Sequence, residues 1–223
     1  ESYRNSGFQS APLINYLALL GWNPGTNEEI IDLQNLITKF DVRKVQKKSA
    51  VFDPKKFSWI SAHYLQKEEA QSIFTKIRSL DSDWGTSHKD TFCLRVIELM
   101  KPRAESIQEI MLKSHYFFDK PKIFNDNDQK KVRRPNTKKV LKNIIQFLQK
   151  IENVNSQNLE NMIKSYIETC GFGFGEVLKP MRLAMCGSLT GPSLFDLIEL
   201  IGIEESIFRL NRFIIEYKDK YEK

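Results

Sequence analysis

Residues 179–202, KPMRLAMCGSLTGPSLFDLIELIG, carry the signals of two helices separated by a short turn. Apolar residues recur at helical spacing on both sides of the turn, and Gly191-Pro192 favours a break followed by a new helix. They are Met181, Met185 and Leu189 before the turn, and Leu194, Leu197, Ile198 and Ile201 after it. The pattern predicts two helices that meet end to face at residues 190–193.

The turn combines apolar residues that we expect to be exposed with a nearby cation. Pro192, Leu194 and Phe195 lie at its tip, and Arg182 lies on the preceding helix. An aromatic ring can stack on an unpaired base, a guanidinium can bind a phosphate or a base edge, and a helix N-terminus offers free N–H groups to an anion. The alternative is an ordinary helix corner in which Leu194 and Phe195 fill the core. The residues alone leave both interpretations open.

Positive charge is concentrated in one segment of the chain. The formal charge of the 223 residues is +6, and residues 120–142 alone contain nine Lys or Arg against two Asp, a local charge of +7. A basic segment on a nearly neutral chain is typical of a protein that binds a polyanion, because phosphate contacts release condensed counterions. A solvated linker of the same composition is the alternative.

The remainder of the chain repeats helical periodicity and contains no strand pattern. We therefore predict an all-α fold built from successive antiparallel helix pairs. The predicted helices lie at residues 11–20, 26–40, 54–64, 68–79, 88–100, 104–112, 137–150, 156–170 and 204–221. Residues 120–135 show little periodicity and are predicted to be mostly loop.

Two of the helix starts carry recognisable capping signals. Thr26 and Glu29 form a capping-box pattern, which predicts a helix with Ile30, Leu33, Leu36, Ile37 and Phe40 facing inward. Asp53-Pro54 places a capping carboxylate before a proline at the first helical position, which predicts a helix start there.

The residues that usually carry catalysis form no recognisable arrangement. Three cysteines and three histidines are far apart and have no metal-ligand spacing, so no zinc site is predicted, and the unpaired cysteines fit a reducing cytoplasm. No nucleotide-binding fingerprint or catalytic triad pattern occurs, no run of eighteen apolar residues predicts a membrane span, and no signal-peptide layout is present. The residues can bind a partner, but they indicate no catalytic route.

Several motifs together resemble the bacterial-type glutamyl-tRNA synthetases of class I. The most specific are NYLALLGW at residues 15–22 and AVFD at residues 50–53; others are Lys101-Pro102-Arg103, Tyr116-Phe117-Phe118, Arg182 and Gly191-Pro192-Ser193-Leu194-Phe195. The resemblance covers essentially the whole chain. It implies the tRNA-binding half of such an enzyme, beginning just after the lysine-rich ATP loop.

The resemblance also implies an organisation and partners. We expect a stem-contact domain at residues 1–68, a first helical anticodon-binding subdomain with the basic linker at 69–135, and a second helical subdomain at 136–223. The expected partner is tRNA(Glu), bound by a cytoplasmic monomer without a membrane association. This part of the chain is expected to need no cofactor, because ATP and magnesium belong to the catalytic half of the parent glutamate–tRNA ligase.

The site residues follow from the positions that match the family's motifs. Arg103 is expected to read the last anticodon base, and Arg182, Pro192, Leu194 and Phe195 are expected to hold the others. Lys179 stands where the family can have glutamine, and Gly191 stands where it can have a hydroxyl residue. The basic run Arg43, Lys44, Lys47 and Lys48 is expected to contact the tRNA backbone. With the resemblance, Leu194 and Phe195 are interpreted as base platforms rather than as core residues only.

A function of another class remains as the alternative. A non-catalytic helical scaffold could use the basic segment to dock an acidic protein and the apolar turn at residues 192–195 to enter a protein groove.

Overall fold

The computed structural model describes residue 3 and residues 7–46, 49–152 and 155–216, and this part of the chain is all-α, as predicted. No strand occurs among the described residues. The helices are α1 Ser10–Leu19, α2 Leu33–Lys39, α3 Pro54–Lys67, α4 Ala70–Leu80, α5 Asp90–Met100, α6 Ile107–Lys113, α7 His115–Phe118, α8 Asp126–Val132, α9 Thr137–Leu148, α10 Ser156–Thr169, α11 Phe174–Cys186, α12 Leu194–Ile201 and α13 Ile203–Glu216. Two 3₁₀ turns lie at Val42–Lys44 and Lys101–Arg103.

The helices form two compact units, Glu1–Ser114 (unit 1) and His115–Lys223 (unit 2). The division into three parts at 68/69 and 135/136 stays a prediction. In unit 1, α1 packs on α3 and α4 packs on α5. In unit 2, α9, α11 and α13 pack on one another, and α10 packs on α12.

The N-terminal part of unit 1 is held by aromatic packing and one predicted cap. Tyr16, Phe57 and Ile60 form a buried cluster between α1 and α3. The Asp53 carboxylate accepts hydrogen bonds from the backbone N–H groups of Lys55 and Lys56, which confirms the predicted start of α3. The backbone N–H of Asp53 in turn donates to the Tyr16 hydroxyl at 2.6 Å, so the cap is fixed to the core.

The helix predicted over residues 26–40 is wrong in its first half. Helix α2 begins only at Leu33, because the preceding backbone is bound by the fully buried side chain of Asn15. The Asn15 amide donates to the Glu29 carbonyl at 3.1 Å and accepts from the Ile31 N–H at 2.9 Å. These bonds hold the segment extended, since a helix would need the same backbone groups. In addition, Ile37 was predicted to face inward, but it is 64% exposed.

The basic segment also differs from the prediction, because it contains helix α8 rather than mostly loop. The Asn125 side chain accepts the N–H of Asp128, which caps the helix N-terminus. Asp126 and Asp128 lie in its first turn and Lys130 and Lys131 in its last, an arrangement that suits the helix dipole. This local capping signal is short, and the surrounding charges obscured it.

Candidate nucleic-acid interface

The predicted turn between α11 and α12 is closed by a left-handed glycine and an N-cap. Gly187 has φ of +75°, and its N–H donates to the Leu183 carbonyl at 2.8 Å. A Cβ at this position would lie 2.8 Å from the Ile123 carbonyl oxygen, so only glycine fits. The Ser193 side chain accepts from the N–H of Asp196 and starts α12. The end of one helix and the start of the next are therefore fixed.

Arg182 lies at this turn and is held by it. Its Nη1 donates to the Pro192 carbonyl at 2.6 Å, while the side chain remains half-buried. Gly191, at φ +149°, provides the space, because a Cβ there would lie 3.4 Å from Arg182 Nη1 and 3.3 Å from the Tyr116 hydroxyl. A hydroxyl-bearing residue at position 191 would strain the backbone and crowd the guanidinium. The position of the Arg182 guanidinium in this chain therefore depends on the glycine at position 191.

The expectation that the apolar residues at the turn are exposed is wrong. Pro192 is buried, Leu194 is 3% exposed and Phe195 is 6% exposed. The cause is the geometry of α12, because Leu194 and Phe195 share its buried face with Leu197 and Ile198. Thr190 at the turn is exposed instead, as is Lys179 one helical turn before Arg182, and Arg182 is half-buried.

Helix α8 of the basic segment is attached directly to this turn. The Asp128 carboxylate accepts the N–H of Leu189 at 2.9 Å, and the Asn125 N–H donates to the Gly187 carbonyl at 2.8 Å. The Leu189 N–H, followed by the ammonium of Lys131, lowers the pKa of Asp128 from its ordinary value. Sequence reasoning missed this connection, because residues 61 positions apart leave no periodic signal.

A buried arginine supports the same region from α13. Arg209 is 3% exposed, and its Nη1 donates to the carbonyl oxygens of Tyr116 at 2.6 Å and Met185 at 3.0 Å. Its Nε pairs with Glu205 at 2.7 Å. The sequence did carry a signal here, because Arg209 lies on the helical face that also contains the buried Leu210 and Phe213. The guanidinium therefore supplies a donor to the Met185 carbonyl near the end of α11 and to the Tyr116 carbonyl in α7.

The predicted cations of unit 1 differ in their surroundings. Arg103 is exposed in the 3₁₀ turn that follows α5, with a long 3.5 Å contact to the Leu99 carbonyl. Arg43 forms a two-pronged ion pair with Asp41, at 3.0 Å for each oxygen, and this partner raises the pKa of Arg43. Lys44 is exposed. Lys47 and Lys48 lie outside the described residues.

Unit 1 also contains an apolar groove, which sequence analysis did not predict. The groove has a volume of about 510 Å³ and lies between α1, α2 and the chain up to Val45. Its rim contains half-exposed or mostly exposed apolar side chains: Ile14, Leu17, Leu33, Ile37, Phe40 and Val45. An apolar face of this kind is typical of an interface rather than of a free surface.

The side chains that most often bind metal ions are spread out in the described part of the chain. Within them, no three His, Cys, Asp or Glu side chains come together in a way that could hold a metal ion. Of the helices described, none combines the length and apolarity needed to cross a bilayer.

Comparison with known families identifies the class of this helical module. Residues 62–214 match the family described as "anticodon binding domain", and residues 1–59 match part of "tRNA synthetases class I (E and Q), catalytic domain". The chain therefore belongs to the anticodon-binding domain family.

The relatives define the resemblance more closely. The chain is 34% identical over 214 residues to the glutamate–tRNA ligase of Flavobacterium johnsoniae and 32% identical over 214 residues to that of Porphyromonas gingivalis, and in each case it covers 96% of its own length and 42% of the relative. A crystal structure of a glutamate–tRNA ligase from Elizabethkingia meningosepticum, in complex with its amino acid, superposes with a TM-score of 0.86 at 32% identity, over 97% of this chain and 43% of that one. The predicted resemblance to glutamyl-tRNA synthetases is confirmed. The chain spans less than half the length of these relatives.

Proposed function

We propose that the chain binds tRNA(Glu) and recognises its anticodon as the C-terminal part of a glutamate–tRNA ligase. The observation that supports this most directly is the anticodon-binding family match, which spans both arginine-bearing turns. In the parent enzyme, ATP, magnesium and glutamate belong to the catalytic part outside this chain. We also propose that the protein acts in the cytoplasm as a monomer with one tRNA.

Each site residue has a role under this proposal. Arg103 reads the last anticodon base, because its exposed guanidinium can reach a base edge with two donors. Arg182 and Lys179 bind the other two nucleotides from α11, and Gly191 lets an RNA strand approach the backbone closely.

The apolar residues of the turn have a role that differs from the exposed base platform expected from the sequence. Pro192, Leu194 and Phe195 hold the turn in the free chain, since they are buried. A base stacks on Phe195 only when the first turn of α12 opens, so tRNA binding includes a local rearrangement there. Arg43, Lys44, Lys47 and Lys48 contribute phosphate contacts that do not depend on sequence.

The same proposal accounts for the apolar groove of unit 1. Its lining residues lie between positions 14 and 45, within the segment that matches a catalytic-domain family. We propose that the remainder of that catalytic domain covers the groove in the longer protein. The groove and the anticodon turns then both serve tRNA charging. The groove contacts the catalytic domain, and the anticodon turns contact the tRNA.

The test of anticodon recognition uses filter binding with tRNA(Glu) and a tRNA with an unrelated anticodon. Arg103→Ala should weaken binding of tRNA(Glu) roughly 5- to 150-fold, the equivalent of about 1–3 kcal/mol, and should reduce the preference over the second tRNA. Arg95→Ala is the matched control, because Arg95 is an exposed arginine on α5 of the same unit.

Two outcomes would contradict the proposal. Equal affinity of the unmodified chain for both tRNAs would remove the anticodon claim. A protein partner retained on the chain after ribonuclease treatment, with no tRNA preference, would favour the helical-scaffold alternative. Arg182→Ala should also weaken binding, but its result needs a parallel thermal unfolding curve, because Arg182 also holds the Pro192 carbonyl.

A further inference from the structure

The cations of residues 120–142 lie mostly on ordered helices, and most of them are not neutralised. Lys131 pairs with Asp128 at 2.9 Å, and Arg134 pairs with Glu176 at 2.5 Å. Four further lysines are exposed and form no ion pair within the described part of the chain: Lys122, Lys130, Lys139 and Lys142. The Lys120 ammonium lies over the Phe208 ring, 4.6 Å from the ring centre. The segment therefore presents a net positive surface.

This surface is connected to α11 and to the turn that follows it, beside which Arg182 lies. Helices α8 and α9 both pack on α11, the helix on which Arg182 lies. In addition, Asp128 binds the Leu189 N–H, and Asn125 binds the Gly187 carbonyl. A solvated linker would lack these contacts. The start of α8 is therefore held against the turn, while the pair of Arg134 with Glu176 holds the chain before α9 at the other end of α11, so the cations lie along the helix that leads to the turn.

We propose that Lys122, Lys130, Lys139 and Lys142 form a second RNA-binding surface, which binds backbone phosphates of the stem next to the anticodon loop. The inference rests on the proposed function and extends it to a different part of the RNA. Lysine suits this role because its ammonium acts as a point charge on phosphates without reading bases. Lys139 and Lys142 are three residues apart on α9 and face the same side, so they can contact phosphates of one strand.

The experiment compares paired substitutions in the whole chain. One variant combines Lys139→Gln with Lys142→Gln, a second combines Lys122→Gln with Lys130→Gln, and the control combines Lys89→Gln with Lys150→Gln. The control lysines are also exposed and form no ion pair among the described residues, but they lie outside the segment. All three variants lose two charges, so an effect of net charge alone is the same in each.

Binding of tRNA(Glu) is measured over a series of salt concentrations. Each variant of the segment should lower the slope of log K against log salt by about 2, roughly 1 per lost phosphate contact, while the control leaves the slope unchanged. The preference for tRNA(Glu) over a tRNA with another anticodon should stay the same in both, because phosphate contacts carry no sequence information.

The outcomes separate this proposal from the proposed function. Salt slopes equal to that of the unmodified chain in both segment variants would overturn the second surface while anticodon recognition stands. An equal drop in the control would also overturn it, since net charge would then explain the effect. Loss of tRNA preference in the unmodified chain would contradict the proposed function instead. Lysine-dependent binding of polyglutamate, with unchanged tRNA binding, would show a surface for acidic protein and overturn the RNA assignment.

Discussion

The groove of unit 1 and the candidate turn of unit 2 differ in the exposure of their apolar residues, and in both cases the exposure is the opposite of what was predicted. In unit 1, Ile37 and Phe40 were predicted to face inward, and they are 64% and 46% exposed along an open groove. In unit 2, Leu194 and Phe195 were predicted to be exposed, and they are 3% and 6% exposed. The difference shows that an apolar helix face predicts that another surface covers it. The pattern does not predict whether that surface belongs to the same chain.

The contrast agrees with the family matches. The open groove belongs to the segment that matches only part of a catalytic-domain family, whereas unit 2 lies almost entirely within the anticodon-binding match. Unit 2 buries Leu194 and Phe195 of its candidate turn and leaves Lys179 exposed one helical turn before Arg182. The candidate turn of unit 2 is therefore polar at its surface, whereas unit 1 has an apolar groove in addition to its exposed cations.

The largest expected effect comes from a matched pair of phenylalanine substitutions. Phe195→Ala should lower the free energy of unfolding by about 3–5 kcal/mol, since it empties a buried site, whereas Phe40→Ala should lower it by only about 1 kcal/mol, because nearly half of that ring already contacts water. Denaturant unfolding followed by circular dichroism measures both. Tryptophan fluorescence provides a reporter for unit 1, since Trp22, Trp59 and Trp84 all lie there.

Equal losses in the two variants would break the comparison, because the two rings would then be equally important to the stability of the isolated chain. A small loss for Phe195→Ala would in turn support the original expectation of an exposed base platform.

The sequence predicted the positions of the helices better than it predicted the tertiary contacts around them. The apolar periodicity of α1, α3, α9 and α10 and the Asp53 cap of α3 are local properties, and the structure confirms those helices within a few residues. The first half of the helix predicted over residues 26–40 failed because Asn15 binds its backbone from a distance. A tertiary hydrogen bond can override a local capping signal, and it leaves no trace in periodicity.

In the candidate site, too, some residues could be predicted from the sequence and others could not. The resemblance supplied Arg103, Arg182 and the turn at residues 191–195 as candidates. It did not supply Asp128, which links the basic segment to the turn, or Arg209, which supports the end of α11. Both act through backbone groups of distant residues, and any sequence can offer those groups. Such contacts become visible only in three dimensions.

A smaller effect is expected from removing the charge of Asp128. Asp128→Asn should lower the free energy of unfolding by about 1–2 kcal/mol at pH 7, because the carboxylate accepts from the Leu189 N–H and from Lys131. The pKa of Asp128 is lowered by folding, so its contribution is fully present above the unfolded pKa of about 3.9 and is lost as the pH falls through the folded value. Parent and variant should therefore become equally stable in acid.

Asp126→Asn is the control for this prediction, because Asp126 lies in the same first turn of α8 and is exposed. It removes the same charge without the bond to Leu189. If the two variants lose equal stability, the helix dipole explains the effect and the link from α8 to the turn is not important. A difference between parent and Asp128→Asn that does not shrink as the pH falls below the unfolded pKa would contradict the carboxylate's role.

The smallest effect on stability, and the sharpest test of the open groove, is expected from Ile37→Gln. Ile37 is 64% exposed, so the substitution should change the free energy of unfolding by less than about 0.5 kcal/mol. It should nevertheless reduce the fluorescence of a bound hydrophobic dye, because the groove is a continuous apolar surface. Ile215→Gln provides the control, since Ile215 is 83% exposed but lies outside the groove, on α13. A stability loss at Ile37 as large as that of a core residue would mean that unit 1 closes this face by itself. The contrast between the units would then disappear, and no covering domain would be needed to explain the groove.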